Sequence, residues 1–295
     1  MPAEEQEQST EQSSESSSES QKDLARPSAQ DIYKQVAENA REELKRTSLS
    51  LGISGFAGGI FMGLSALGTA IGLAYFGDSS AASFVAMMFY PIGFIVVILG
   101  RAQLFTENTL YPVALVLAQR KHLWHTLRLW GIVLPANVCG ALTFAALAAR
   151  TPALRADMVA SLTKLGLEAS QQPAAHIFWS AVMAGWIIAT VAWLVSASHS
   201  ITGSIAVIWV LTFVVGLGHF AHCIAGSGEV LAAVLVGKTT ALGYLRWLGL
   251  AAAGNVCGGV GMVTLLEYGQ VIADDETAEK ITTFMEKQEE EAPLE

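Results

Sequence analysis

Two apolar stretches, near 83–118 and 202–237, run to about 36 residues each, and each carries a polar or glycine-rich interruption near its middle. A helix crosses the bilayer core with roughly 20 apolar residues, so neither stretch fits one straight span. Each is read as two half-helices joined at a re-entrant break. The first break is GRAQLFTEN, Gly100 to Asn108, and the second is GLGHFAHCIAGSGE, Gly216 to Glu229. Further apolar stretches near 49–76, 124–149, 174–198 and 241–269 complete six predicted crossings. The composition agrees: 52% of the 295 residues are hydrophobic and only 15% are charged, too apolar a balance for an ordinary soluble enzyme of this length.

The halves echo each other. PANVCGAL (135–142) in the third crossing matches AGNVCGGV (253–260) in the sixth, and the breaks precede the two motifs at similar distances, about 33 residues from Thr106 to Cys139 and about 35 from His222 to Cys257. A unit of three crossings is odd in number, so its second copy enters the membrane with opposite orientation. The expected fold is therefore an all-α integral membrane protein of six transmembrane helices, an inverted 3+3 repeat with its second and fifth helices broken. Paired interruptions at corresponding positions point to a site at the membrane midplane.

The ends of the chain differ from its middle. Residues 1–46 carry 6 basic and 11 acidic side chains and 270–295 carry 2 and 9, which leaves 9 and 6 between them, so the net charge of −9 belongs to the tails. Residues 1–27, rich in Ser, Glu and Gln, read as a disordered tail. From 28 to 47, Ile32, Val36 and Leu44 recur at helical spacing, and Ser28 with Asp31 resembles a helix start. This segment reads either as an amphipathic helix at the membrane surface or as a solvated helical linker. Residues 48–270 form the expected pore domain and 271–295 an acidic cytoplasmic tail. Basic residues Arg41, Lys45, Arg46, Arg120, Lys121 and Arg128 beside the first three crossings place both termini in the cytoplasm. The three cysteines all fall inside apolar stretches, which excludes a secreted disulfide framework, and the N-terminus lacks a cleavable signal pattern.

Non-helical backbone at membrane depth leaves peptide groups unpaired, and it persists only when buried in protein or lining a wet cavity. His222, in the second break, is the leading candidate, as an ionisable side chain able to donate a hydrogen bond or exchange a proton with a solute. A histidine bonded to neighbouring backbone is the alternative. Thr106 supplies a hydroxyl in the first break, although a membrane threonine more often bonds its own backbone. Leu104 and Phe105 are candidates for hydrophobic constrictions or for packing. Glu107 and Glu229 are expected to cap half-helices or pair across breaks, and Asn137 and Asn255, one per half, to act as polar pins between helices. Gln103 and Asn108 complete the polar set. No residue spacing fits a metal site or a phosphate loop, no cofactor is implied, and no basic patch suits nucleic acid.

At QLFTENTL (103–110), the two NVCG motifs and HCIAGSGEVL (222–231), the chain resembles the formate/nitrite transporter family over about residues 35–270. The resemblance is strongest to a subgroup with the QLFTENT form of the first break and a long polar N-terminal extension. It implies an aquaporin-like protomer of a homopentamer in the bacterial inner membrane, each protomer with its own pore for a small monovalent anion such as formate or nitrite, or its conjugate weak acid. The family's loop threonine falls on Thr106, its pore histidine on His222, and the preceding Leu-Phe pair on Leu104 and Phe105. The chain departs from the formate type in having Gln103 for glutamate, Pro173 where a lysine precedes the fourth crossing, and Ala189 and Gly226 for asparagines. Three readings follow: a channel or transporter for a monovalent anion or its acid, a pore for a small neutral solute, and a non-conducting membrane scaffold or regulatory subunit.

Overall fold

A computed structural model describes residues 27–77, 79–119, 122–272 and 275–291. The Ser- and Glu-rich tail, up to residue 26, lies outside the described residues, as do Arg120 and Lys121 of the basic cluster. Every regular element among the described residues is helical.

Helix α1 (Ala29–Lys45) starts at a capping box, in which the Asp31 amide donates to Ser28 Oγ (3.2 Å) and the Ser28 amide to Asp31 Oδ2 (3.0 Å). The Ser28 hydroxyl and amide hold the Asp31 carboxyl below its usual range. Tyr33, Val36, Ala37, Ala40 and Leu44 form the buried face of α1. Four helical stretches have the length and hydropathy to cross a membrane: α2 (Ser48–Phe76), Ser80–Leu99, α6 (Leu123–Arg150) and α8 (Ala174–Ser196). The second of these bends between α3 (Ser80–Met87) and α4 (Pro91–Leu99), where the Pro91 ring occupies the first turn of the new helix and no amide is lost from the ladder. After the first break, with a short 3₁₀ turn at Glu107–Thr109, the chain returns as α5 (Tyr111–Gln119).

The second half opens with α7 (Ala156–Gln171), then α8, the half-helices α9 (Ile201–Leu217) and α10 (Ala225–Leu235), and α11 (Ala241–Val256), which widens into a π-helical stretch at Cys257–Thr264 before α12 (Leu265–Ile272). The repeat is written into the packing. Gly140 of α6 rests on the backbone of Phe56 and Ile60 in α2, and Gly258 on that of Val182 and Trp186 in α8. Gly59 faces the Asn137 backbone as Gly185 faces that of Asn255. A Cβ at any of the four would strike main chain, so only glycine allows these helices to cross so closely.

Two elements go beyond the sequence reading. Helix α7 packs on α10 as α1 packs on α5, so the repeated unit has four helices, a short one before each set of three. Within 271–295, read only as an acidic tail, α13 (Asp275–Glu291) folds back on α1 and α5 with Ile281 and Met285 buried. Arg41 pairs there with Glu289 at 2.5 Å. The second break is also shorter than expected. Only Gly218 to Ile224 leave the helix, while Gly226, Ser227, Gly228 and Glu229 belong to α10. The small residues there serve close packing, with Gly226 against the Trp247 ring and Gly228 against Phe144.

Candidate functional site

The half-helices entering the breaks end alike. In α4 the Arg101 amide donates to the Ile98 carbonyl (3.2 Å) and Ala102 to Val97 (3.1 Å); in α9 His219 donates to Gly216 (3.0 Å) and Phe220 to Val215 (3.0 Å). This is the Schellman pattern, whose turning residue is usually glycine. Here it is Arg101 (φ 54°) and His219 (φ 50°), left-handed positions that cost a side-chain-bearing residue on the order of 1–2 kcal/mol. The non-helical backbone beyond each turn is then clamped by an asparagine. Asn137 Oδ1 accepts from the Phe105 amide (2.9 Å), and its Nδ2 donates to the carbonyls of Gly55 (2.7 Å) and Gln103 (2.8 Å). Asn255 does the same in the other half, accepting from Cys223 (2.8 Å) and donating to Ala181 (2.8 Å) and Ala221 (2.9 Å). Each asparagine thus ties its break to a neighbouring helix and satisfies the broken backbone. By these clamps Leu104 of the first break corresponds to His222 of the second.

The breaks meet at one contact. Thr106 Oγ1 lies 2.8 Å from His222 Nε2, and both residues are buried, at 0% and 1% exposure. The Ile224 and Ala225 amides, where α10 begins, donate to His222 Nδ1 at 3.3 and 3.1 Å. An acceptor at Nδ1 puts the ring proton on Nε2, so Nε2–H donates to the threonine oxygen and leaves the threonine hydroxyl proton free for another acceptor. Thr106 is therefore committed to the opposite break rather than to its own helix. Phe94 stands edge-on to the imidazole with centroids 5.0 Å apart, and Phe105, buried with Leu104, packs edge-on to Trp130 at 5.9 Å.

A cavity opens on each side of this contact. The first, about 430 Å³, has His222 and Glu229 in its wall with Tyr90, and His176, His219 and Glu168 exposed at its rim. The second, about 380 Å³, is lined by Leu104, Gln103, Glu107 and Asn108 from the first break, by Arg101, and by Gln35, Asn39 and Glu43 of α1. Gln103 bridges the second wall: its Nε2 donates to Glu43 Oε2 (2.5 Å) while its Oε1 accepts from Asn108 Nδ2 (2.9 Å). Burial pushes the Glu43 carboxyl up, against the smaller opposing pull of the neighbouring Arg46. Among the described residues, neither expected role of the two other glutamates is found. Glu107 lies inside the 3₁₀ turn and Glu229 within α10, so neither caps a half-helix. Glu43 was missed by the sequence reading, yet Gln35, Asn39 and Glu43 recur every four residues, a polar stripe at helical spacing that marks a second face of α1.

The chain is similar to known proteins in sequence and in fold. The sequence model described as "Formate/nitrite transporter" matches residues 30–269. The chain is 28% identical to "Inner membrane protein YfdC" of Escherichia coli (strain K12) over 249 residues, 83% of this chain and 80% of that protein. It is 29% identical to "Uncharacterized transporter YrhG" of Bacillus subtilis (strain 168) over 254 residues, 81% of this chain and 92% of that one. Among solved structures it is similar to an "FNT family ion channel" (TM-score 0.74, 18% identity, 81% of this chain and 98% of that chain). It is similar also to a "Pentameric formate channel with formate bound" (TM-score 0.62, 18% identity, 78% and 98%).

Proposed function

The chain belongs to the formate/nitrite transporter family, and we propose that it is a membrane channel or transporter carrying a small monovalent anion or its conjugate weak acid through a pore of its own. The observation that carries this reading is the Thr106–His222 contact, buried between two cavities that approach it from the two breaks. A solute leaving either cavity must shed water to pass Leu104 and Phe105, and burying its polar atoms unpaired costs several kcal/mol. The Nε2–H and the threonine hydroxyl are the donors positioned to replace that water, one held by α10 and one by the Asn137-clamped loop. In this reading Gln103, Glu107, Asn108 and Glu229 are polar wall, and Asn137 and Asn255 hold the two loops in register.

In this reading six crossings, with Ile201–Leu217 as the fifth and 241–272 as the sixth, leave both termini on one side, and the basic residues Arg41, Lys45, Arg46 and Arg128 beside the first three crossings favour the cytoplasm as that side. An inner-membrane location and a homopentamer follow the relatives whose names state them. The test is uptake of formate, nitrite and other weak acids into proteoliposomes across pH. Flux should rise as pH falls towards the pKa of each acid, and His222→Ala should alter that dependence. Flux equal to that of protein-free vesicles for every acid would reject conduction.

A further inference from the structure

The two cavities occupy corresponding places in the repeat but do not carry corresponding charge. The cavity on the first break has Arg101 at its left-handed corner; at the same corner the cavity on the second break has His219. No lysine or arginine is among the described residues lining that second-break cavity. The cations beside it hold to other groups or lie outside the lining: Lys238 Nζ donates to Thr163 Oγ1 (2.8 Å), Arg246 reaches the carbonyl of Gln172 at the cavity's rim at 3.5 Å, and Lys164 is exposed on α7. Glu229 lines the wall of the cavity beside His222, and no hydrogen bond or ion pair to a described residue occupies its carboxyl. Its main chain lies close against Gly166 of α7, and its side chain lines the cavity.

We propose that Glu229 determines what this cavity accepts: it turns away bare monovalent anions and admits a small neutral solute that brings its own hydrogen-bond donor, an undissociated weak acid or hydride. The inference rests on the conduction reading and narrows its substrate class. As a carboxylate, Glu229 repels an anion across a partly dehydrated space. A neutral donor meets the opposite situation, because the carboxyl accepts its proton-bearing end on the way to Thr106.

The test uses the full chain with formate as probe, in planar bilayers for anion current at neutral pH and in vesicles with an internal pH dye for entry of formic acid. Wild type should show acid entry with little formate current. Glu229→Gln should raise the ratio of current to acid entry by about tenfold, the scale of removing one charge–charge interaction from a partly solvated site, and Glu229→Lys should raise it further. An unchanged ratio in the isosteric Gln variant, or a large formate current in wild type, overturns the proposal. Absence of acid entry in wild type overturns the conduction reading itself, and this inference with it.

Discussion

Asn137 and Asn255 each make three side-chain hydrogen bonds, two on break backbone that no helix satisfies and one on a carbonyl within a neighbouring helix, Gly55 or Ala181. Replacing either with alanine strands one amide and one carbonyl of the break, and a buried polar group left without its partner costs about 1–3 kcal/mol. Asn137→Ala and Asn255→Ala should each therefore lower the thermal unfolding midpoint in detergent by several degrees, and Asn→Asp, which keeps the acceptor and loses both donors, should fall short of rescue. Wild-type midpoints in both alanine variants would show that the loops are held by something else. The repetition of these asparagines was legible in the sequence because NVCG occurs twice. Their partners were not, since the Phe105 and Cys223 amides that donate to them lie 32 residues upstream in each case. Thr106 was harder still: local chemistry favours back-bonding, and its actual partner is 116 residues away.

At the scale of elements, the lengths of the apolar stretches marked the four helical stretches able to cross a membrane and both interruptions, while the short helices were only partly visible. Helix α1 announced itself by its cap and stripe, but α7, with small and polar residues among its few aliphatic ones, gave no span-length signal and found its place only by packing on α10. Glu43 makes α1 pH-responsive. Burial raises its carboxyl in the folded state, so the folded form binds more protons than the unfolded one between the two pKa values. The stability from this group is fully present below the ordinary value of 4.5 and is lost as pH rises through the raised one. Hydrogen exchange at α1 amides should accordingly show protection, after correction for intrinsic rates, that declines from acid to neutral pH, and Glu43→Gln should flatten the decline while keeping a bond to Gln103. A slope unaltered by the substitution would assign it to another group.

Over the whole molecule, the repeat predicts matched responses in its two halves. Gly140→Val and Gly258→Val push a side chain into main chain at the same crossing, and overpacking of this kind costs typically about 1–3 kcal/mol. Both variants should lose stability to a similar degree in thermal melts; a loss confined to one half would mean the π-helical stretch at Cys257–Thr264 relieves the crowding on its side. The imidazole between the halves has a consequence for energy conservation. A side chain that relays hydrogen ions along a wire takes one at the first ring nitrogen and surrenders another from the second. In His222 the second nitrogen faces the amides that begin α10, so the wire has a dead end. Bare hydrogen ions then have no route through the ring, and those that cross do so only as part of the cargo.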